Sequence, residues 1–280
     1  MAHPLNPIRR AVAAQVRATF ADADGRGVTI DRADTGLFGP GSAIWRVHGD
    51  VTTMMIGGTA ALLMQMLHPV ALLGVWEHSR FRHDMRGRLR RTSAFIAETT
   101  YGSRAQAEAA IGQVRAIHAK VRGRTPQGGQ YRADDPALLA WVHAAEAWCF
   151  LESFRRYRDP LMPGAQQDRY LAEIGVIARA LGADPVPVTR AALSRVIDGF
   201  RPQLAHDART TAAARALLGQ KPPALIYAPV QALTFSAAIA MLPRWARRMH
   251  GLGVPLSARP LLTAGAAAMA ATTRWAMRPA

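Results

Sequence analysis

The most continuous apolar stretch, residues 51–67 (VTTMMIGGTAALLMQML), has apolar residues on every side of a helix and predicts a buried one. Gly57 and Gly58 sit inside it, where glycine weakens a helix relative to alanine. Their presence calls for the close approach of another backbone or of a flat ligand. His68-Pro69 ends or kinks this helix, because proline disfavours helical geometry in the residue before it. On the same reading, His68 bonds the helix's terminal carbonyls. Residues 70–85 predict a short second helix and turn, and Arg86 to Tyr101 a third. Ser103 N-caps a fourth that runs to about Val121. Gly123 to Tyr131, with Gly128-Gly129, reads as a loop. Asp135 as cap and Pro136 at the first helical position open a helix to about Tyr157. Further helices are expected at about 163–182, 187–200, 204–218, 223–242 and 256–277.

Ahead of these, residues 1–20 suggest a short amphipathic helix. Residues 21–50, rich in Gly, Asp and Pro, read as a loop, with Ser42 capping a turn over Ala43–His48. The expected organisation is therefore an extension over 1–50 and one large all-α domain over 51–280. Nothing in the pattern sets an oligomeric state.

Composition supports the helical reading. Half of the 280 residues are hydrophobic, 19% are charged, and alanine, the best helix former, dominates. Long β-branched runs are absent. Charge adds a separate question, since 35 Lys+Arg against 19 Asp+Glu give +16, nearly all of it arginine. Codon bias towards arginine explains this as well as an anionic membrane surface or an acidic substrate does. Nucleic acid is disfavoured as a partner, because neither an aromatic-interleaved basic stretch nor a zinc-finger spacing occurs. Cys149 is the single cysteine, which excludes an intramolecular disulfide and any multi-cysteine metal site and fits a reducing cytoplasm. The first residues, MAHPLNPIRR, lack the apolar run of a secretory signal. Pro223 to Leu242 has the length of a bilayer span, but Pro229 and Gln231 near its middle favour a buried helix pair or a membrane-facing surface helix.

Three constellations carry candidate chemistry. Ile111, Val114, His118 and Val121 fall on one helical face, so His118 points where the apolar residues point. A core histidine bonded through both nitrogens and an axial haem ligand both fit this placement, and spacing does not separate them. Arg88, Arg91 and Thr92, with Phe95, share a face of the third helix. Two guanidiniums and a hydroxyl there suit an anion or oxygen ligand such as a substrate carboxylate, a haem propionate or dioxygen, against a plainly solvated basic face. The histidines His68, His78, His83 and His143 form no recognised metal spacing, and His143 with Glu146 gives a di-iron pair only in reversed order. His78, His83 and a carboxylate remain a non-haem alternative. Nucleophile-elbow, Walker and dinucleotide motifs are all missing.

Taken in order, several segments resemble the domain shared by latex-clearing protein, a bacterial rubber oxygenase, and the fungal mycophenolic-acid oxygenase. They are Gly57 to Pro69 (GGTAALLMQMLHP), His78 to Phe81, Arg88 to Thr92 (RLRRT), Val114 to Gly123 (VRAIHAKVRG), Tyr131 to Ala133 and Leu138 to His143. The likeness continues diffusely through Arg247 to Leu252. It implies an all-α fold with a globin-like core holding one haem b, the iron held by His118. It also implies cofactor contacts from Gly57, Gly58, Arg88 and Arg122, and a distal set of Arg88, Arg91 and Thr92. Arg91 stands where the family pattern has lysine, so any role needing a neutral amine is lost at that position. The implied reaction is oxidation of an apolar, unsaturated or isoprenoid substrate by dioxygen, with cleavage of a carbon–carbon double bond. The alternative from a different class is a non-catalytic lipid-binding protein at a membrane surface.

Overall fold

A computed structural model describes residues 36–222 and 224–277, preceded by positions 9–10, 13–14 and 30. The helix expected over 1–20 therefore lies largely outside the described residues. Among those described, the chain forms twelve α-helices. The first half contributes α1 (Ala43–His48), α2 (Val51–Gln65), α3 (Pro69–His78), α4 (Met85–Tyr101), α5 (Arg104–His118) and α6 (Pro136–Tyr157). The second half contributes α7 (Gly164–Leu181), α8 (Arg190–Phe200), α9 (Ala208–Leu218), α10 (Ala228–Met241), α11 (Arg244–His250) and α12 (Arg259–Met277). A small hairpin, β1 (Arg122–Arg124) and β2 (Gln130–Arg132), separates α5 from α6.

The core is built on α2 and α6, which run antiparallel. Gln65 Nε2 donates to the Val142 carbonyl at 3.1 Å, Trp141 Nε1 to the Gln65 carbonyl at 3.3 Å, and Ser153 Oγ to the Thr53 carbonyl at 2.8 Å. Gly57 sets how closely they meet. A Cβ there would stand 2.9 Å from Phe150 Cδ1 and 3.0 Å from the Cys149 carbonyl oxygen. The close approach read from the sequence is thus that of another backbone. Gly58 has only Phe150 Cε1 nearby, at the ordinary contact distance of 3.7 Å. Around this pair Ile44, Ile56, Leu63, Leu67 and Phe154 are buried. Each such aliphatic or phenyl side chain contributes about 1.5–3 kcal/mol of apolar burial. The other helices close the core, α7 and α8 against α6, and α10 and α12 against α2. Phe38, Ala43, Ile44 and Val47 belong to the same core.

His68 departs from its expected role. The chain bends by 104° between α2 and α3, and His68 caps the start of α3, its Nδ1 accepting from the Ala71 N–H at 3.4 Å. Met66 closes α2 instead. Two further elements differ from the sequence reading. The loop expected over 123–131 is the turn of the β1–β2 hairpin, with Gly128 at φ +86°. The seven-residue α11, between Pro243 and the left-handed Gly251, replaces an expected connection. Elsewhere the caps hold. Ser42, Ser103 and Asp135 each accept from a backbone N–H of the turn they open.

No single helix among the described residues is long and apolar enough to cross a bilayer. Leu225–Met241 and Arg244–His250 together have the composition but are bent by 118°. At the start of this pair Leu225 and Ile226 are 89% and 78% exposed, and Leu261 on α12 is 80% exposed.

Candidate functional site

Asp84 caps α4, accepting from the Gly87 N–H at 2.7 Å, and so places Arg88 in the second turn. Arg88 is half-buried, and its Nη1 donates to Ser79 Oγ at 3.4 Å. No carboxylate pairs with it among the described residues. Burial, and the neighbouring Arg91 charge, lower its pKa. A guanidinium nevertheless stays protonated near neutrality, so Arg88 is a desolvated cation without a counter-ion. Arg91 and Thr92 are placed differently. Both are exposed; Arg91 lies 3.6 Å from Asp84, and the Thr92 hydroxyl donates back to the Arg88 carbonyl at 3.2 Å. Spacing put the three on one face. In the structure only Arg88 is half-buried, with Ser79 at the end of α3 as its partner, while Arg91 and Thr92 stay exposed.

His118 is the last residue of α5, three residues short of the expected helix end. Ile111 on the same face is buried and Val114 half-buried, as the periodicity requires. The ring is half-buried. Burial lowers its pKa, and Asp134 pulls weakly the other way. His118 is therefore neutral near neutral pH. Its Nδ1 is buried and has no hydrogen-bond partner among the described residues. This does not match a core histidine bonded through both nitrogens. An orphaned buried polar atom costs about 1–3 kcal/mol. Arg122 is exposed on β1, its Nε donating to the Ala119 carbonyl at 3.0 Å.

Arg88, and Val121 three residues after His118, meet the same helix. Ser79, which bonds Arg88, is the C-cap of α3. On the other side, a Cβ on Gly74 of α3 would stand 3.6 Å from Val121 and 3.7 Å from Tyr131. The Tyr131 hydroxyl donates to the Glu77 carboxylate, and burial together with that carboxylate pushes its pKa up to about 12. Val121 N–H in turn donates to the His118 carbonyl at 3.1 Å. The Arg88 end of α4 and the His118 end of α5 therefore both abut the stretch from Gly74 to Ser79, about 7.5 Å of helix at 1.5 Å per residue. Gly57 and Gly58 are not part of this arrangement; their neighbour is Phe150 of α6.

Other buried titratable groups were not assigned roles from sequence. His143 on α6 has a buried Nε2 without a partner and a pKa lowered to about 4 by burial and by Arg179. One turn later, burial pushes the Glu146 carboxyl up to about 7, and it makes no hydrogen bond among the described residues. Its sequence signals are its spacing from His143 and its place as an acid inside the apolar run LLAWVHAAEAWCF. His48 is held by Thr100 Oγ1 at 2.9 Å and the Tyr170 hydroxyl at 3.2 Å, and burial lowers its pKa to about 3. No group of three His, Cys, Asp or Glu side chains is close enough to share a metal ion among the described residues. The alternative built on His78, His83 and a carboxylate thus lacks its ligand set there. A haem iron needs only one donor from the protein.

The fold and site define an all-α, single-domain protein. Residues 45–275 match the family described as ER-bound oxygenase mpaB/B′/Rubber oxygenase, catalytic domain, and the chain belongs to that family. It is an oxygenase-type catalytic domain. No curated protein and no solved structure matches the chain.

Proposed function

We propose that this domain is a haem b oxygenase in which His118 holds the iron and the substrate is an apolar, unsaturated molecule of isoprenoid type. The observation that carries the reading is the half-buried, neutral His118 ring with an unpartnered nitrogen, three residues before Val121, which packs on the helix that also receives Arg88. An axial haem ligand must be a neutral imidazole. Arg88, desolvated and without a carboxylate, suits a propionate or a developing negative charge on oxygen. When bound, haem supplies the electron transfer and dioxygen chemistry that side chains lack.

The chain's own residues then divide the remaining work. Arg88 donates hydrogen bonds from a fixed position set by Ser79. Arg91 cannot serve as a proton acceptor, because its guanidinium does not deprotonate. Its exposed place beside Asp84 suits a surface role. The test of the cofactor is direct. The protein purified after expression with haem precursor is expected to show a Soret band that shifts on adding dithionite. A colourless protein under those conditions would overturn the reading.

A peripheral membrane contact fits the same function, because an apolar substrate partitions into lipid. Leu225, Ile226 and Leu261 project from the surface, and Lys221 lies four residues from Leu225. The Lys221 carbonyl accepts from Arg86 Nη2, at the start of the helix that carries Arg88. Anionic vesicles are expected to bind the protein in a salt-sensitive manner, and a Leu225→Asp/Ile226→Asp variant to bind them less. Equal binding of variant and parent at low salt counts against this surface.

A further inference from the structure

We infer that His206 and His250 form a two-histidine site for a divalent transition metal ion, separate from the His118 region. His250 ends α11, and its Nε2 lies 2.7 Å from the Leu63 carbonyl oxygen on α2. A carbonyl only accepts, so Nε2 carries the proton and Nδ1 carries the lone pair. That Nδ1 is buried and has no hydrogen-bond partner among the described residues. Burial and the nearby His206 lower the ring's pKa, so the lone pair is free near neutral pH. Fixing one ring nitrogen on a backbone carbonyl while the other stays open is how metal-ligating histidines are oriented.

The second imidazole is in place. The His206 ring lies 5.5 Å from the His250 ring, centroid to centroid, at 85°. Two imidazoles on one tetrahedral ion, each with a metal–nitrogen distance of about 2.0 Å, have centroids about 5 Å apart. Closing the remaining gap falls to His206, which is exposed and, among the described residues, hydrogen-bonds only Thr211 at a marginal 3.5 Å. Its segment is anchored, since Ala205 N–H donates to the Leu67 carbonyl at 2.9 Å. Asp207 does not join, because its carboxylate caps α9 through Thr210 at 2.8 and 2.9 Å. Water completes the shell, and imidazole donors select zinc, nickel or copper over magnesium or calcium. A bound ion would tie the 205–207 segment and the end of α11 to α2.

The test uses the full chain as purified, titrated with Zn²⁺ by calorimetry and followed by thermal unfolding. The parent is expected to take up zinc and to melt at a higher temperature in its presence. His206→Ala, an exposed change, is expected to fold normally, weaken zinc binding at least about tenfold and lose the thermal shift. His250→Ala, which also removes the Leu63 bond, is expected to lose the same binding event. Zinc affinity unchanged in His206→Ala, or no zinc uptake by the parent, would show that the rings form only an edge-to-face contact. Haem content is read separately in the same samples and is expected not to change.

Discussion

Replacing His118 with alanine is expected to yield a helical protein that purifies without a Soret band. Two features make this a clean experiment. The His118 side chain makes no hydrogen bond among the described residues, so its removal breaks none. It also closes α5 rather than occupying its middle, where truncation would disturb more of the helix. The expected loss of stability is about 1 kcal/mol or less, the range of a half-buried substitution away from packed or bonded features. Far-ultraviolet circular dichroism should therefore match the parent while bound haem falls from near one per chain towards none. Arg88→Ala is a useful companion, expected to retain the Soret band at lower occupancy if its guanidinium contacts a propionate. The rival ligand is His143, the other buried histidine of this half of the chain with an unpartnered nitrogen. If His118→Ala keeps the band and His143→Ala loses it, the iron belongs on α6.

The reason His118 needs such a test lies in what a sequence can express. Helix limits were legible wherever a side chain caps a backbone group locally, as at Ser42, Ser103 and Asp135. The need for a close approach at Gly57 was legible as well, but its partner was not, because Phe150 is brought there by tertiary packing alone. The same limit explains Arg88, Arg91 and Thr92. Helical spacing places them together, yet burial of one and exposure of two depends on where α3 ends. Periodicity left His118 between a structural and a ligand role; the structure adds that Nδ1 has no hydrogen-bond partner among the described residues, which no spacing expresses. His143 and Glu146 were noticed only as a pair in the reversed di-iron order, and their burial was not legible from the apolar segment around them. The hairpin after α5 was missed because three-residue strands around a glycine turn carry too little pattern to register. Family membership, by contrast, was readable from ordered motifs, each weak by itself, and is matched over residues 45–275.

Asp50→Ala is expected to destabilise the fold by about 3 kcal/mol, in the lower part of the range for breaking a buried ion pair. Asp50 is only 5% exposed and serves three elements at once. Its carboxylate caps α2 by accepting from the Thr53 N–H at 3.0 Å, pairs with Arg274 of α12 at 2.8 Å, and lies 3.8 Å from Arg158 at the end of α6. Loss of the cap alone is worth about 1 kcal/mol. The ion-pair part is discounted because both arginine side chains are partly exposed, at 33% and 46%, and regain water when the acid is removed. Asp50→Asn separates the two contributions. It keeps an oxygen able to accept from Thr53 and loses the charge, so its effect should fall between parent and alanine. Denaturant unfolding monitored by circular dichroism reads both values. An alanine variant within about 0.5 kcal/mol of the parent, the scatter of ordinary surface changes, would mean that α12 is held by its apolar contacts alone. Asp50 sits at the α2 N-terminus, and neither Arg88 nor His118 is among its partners. Haem bound per folded molecule should therefore stay at the parent level in both variants, the reverse of the pattern expected for His118→Ala.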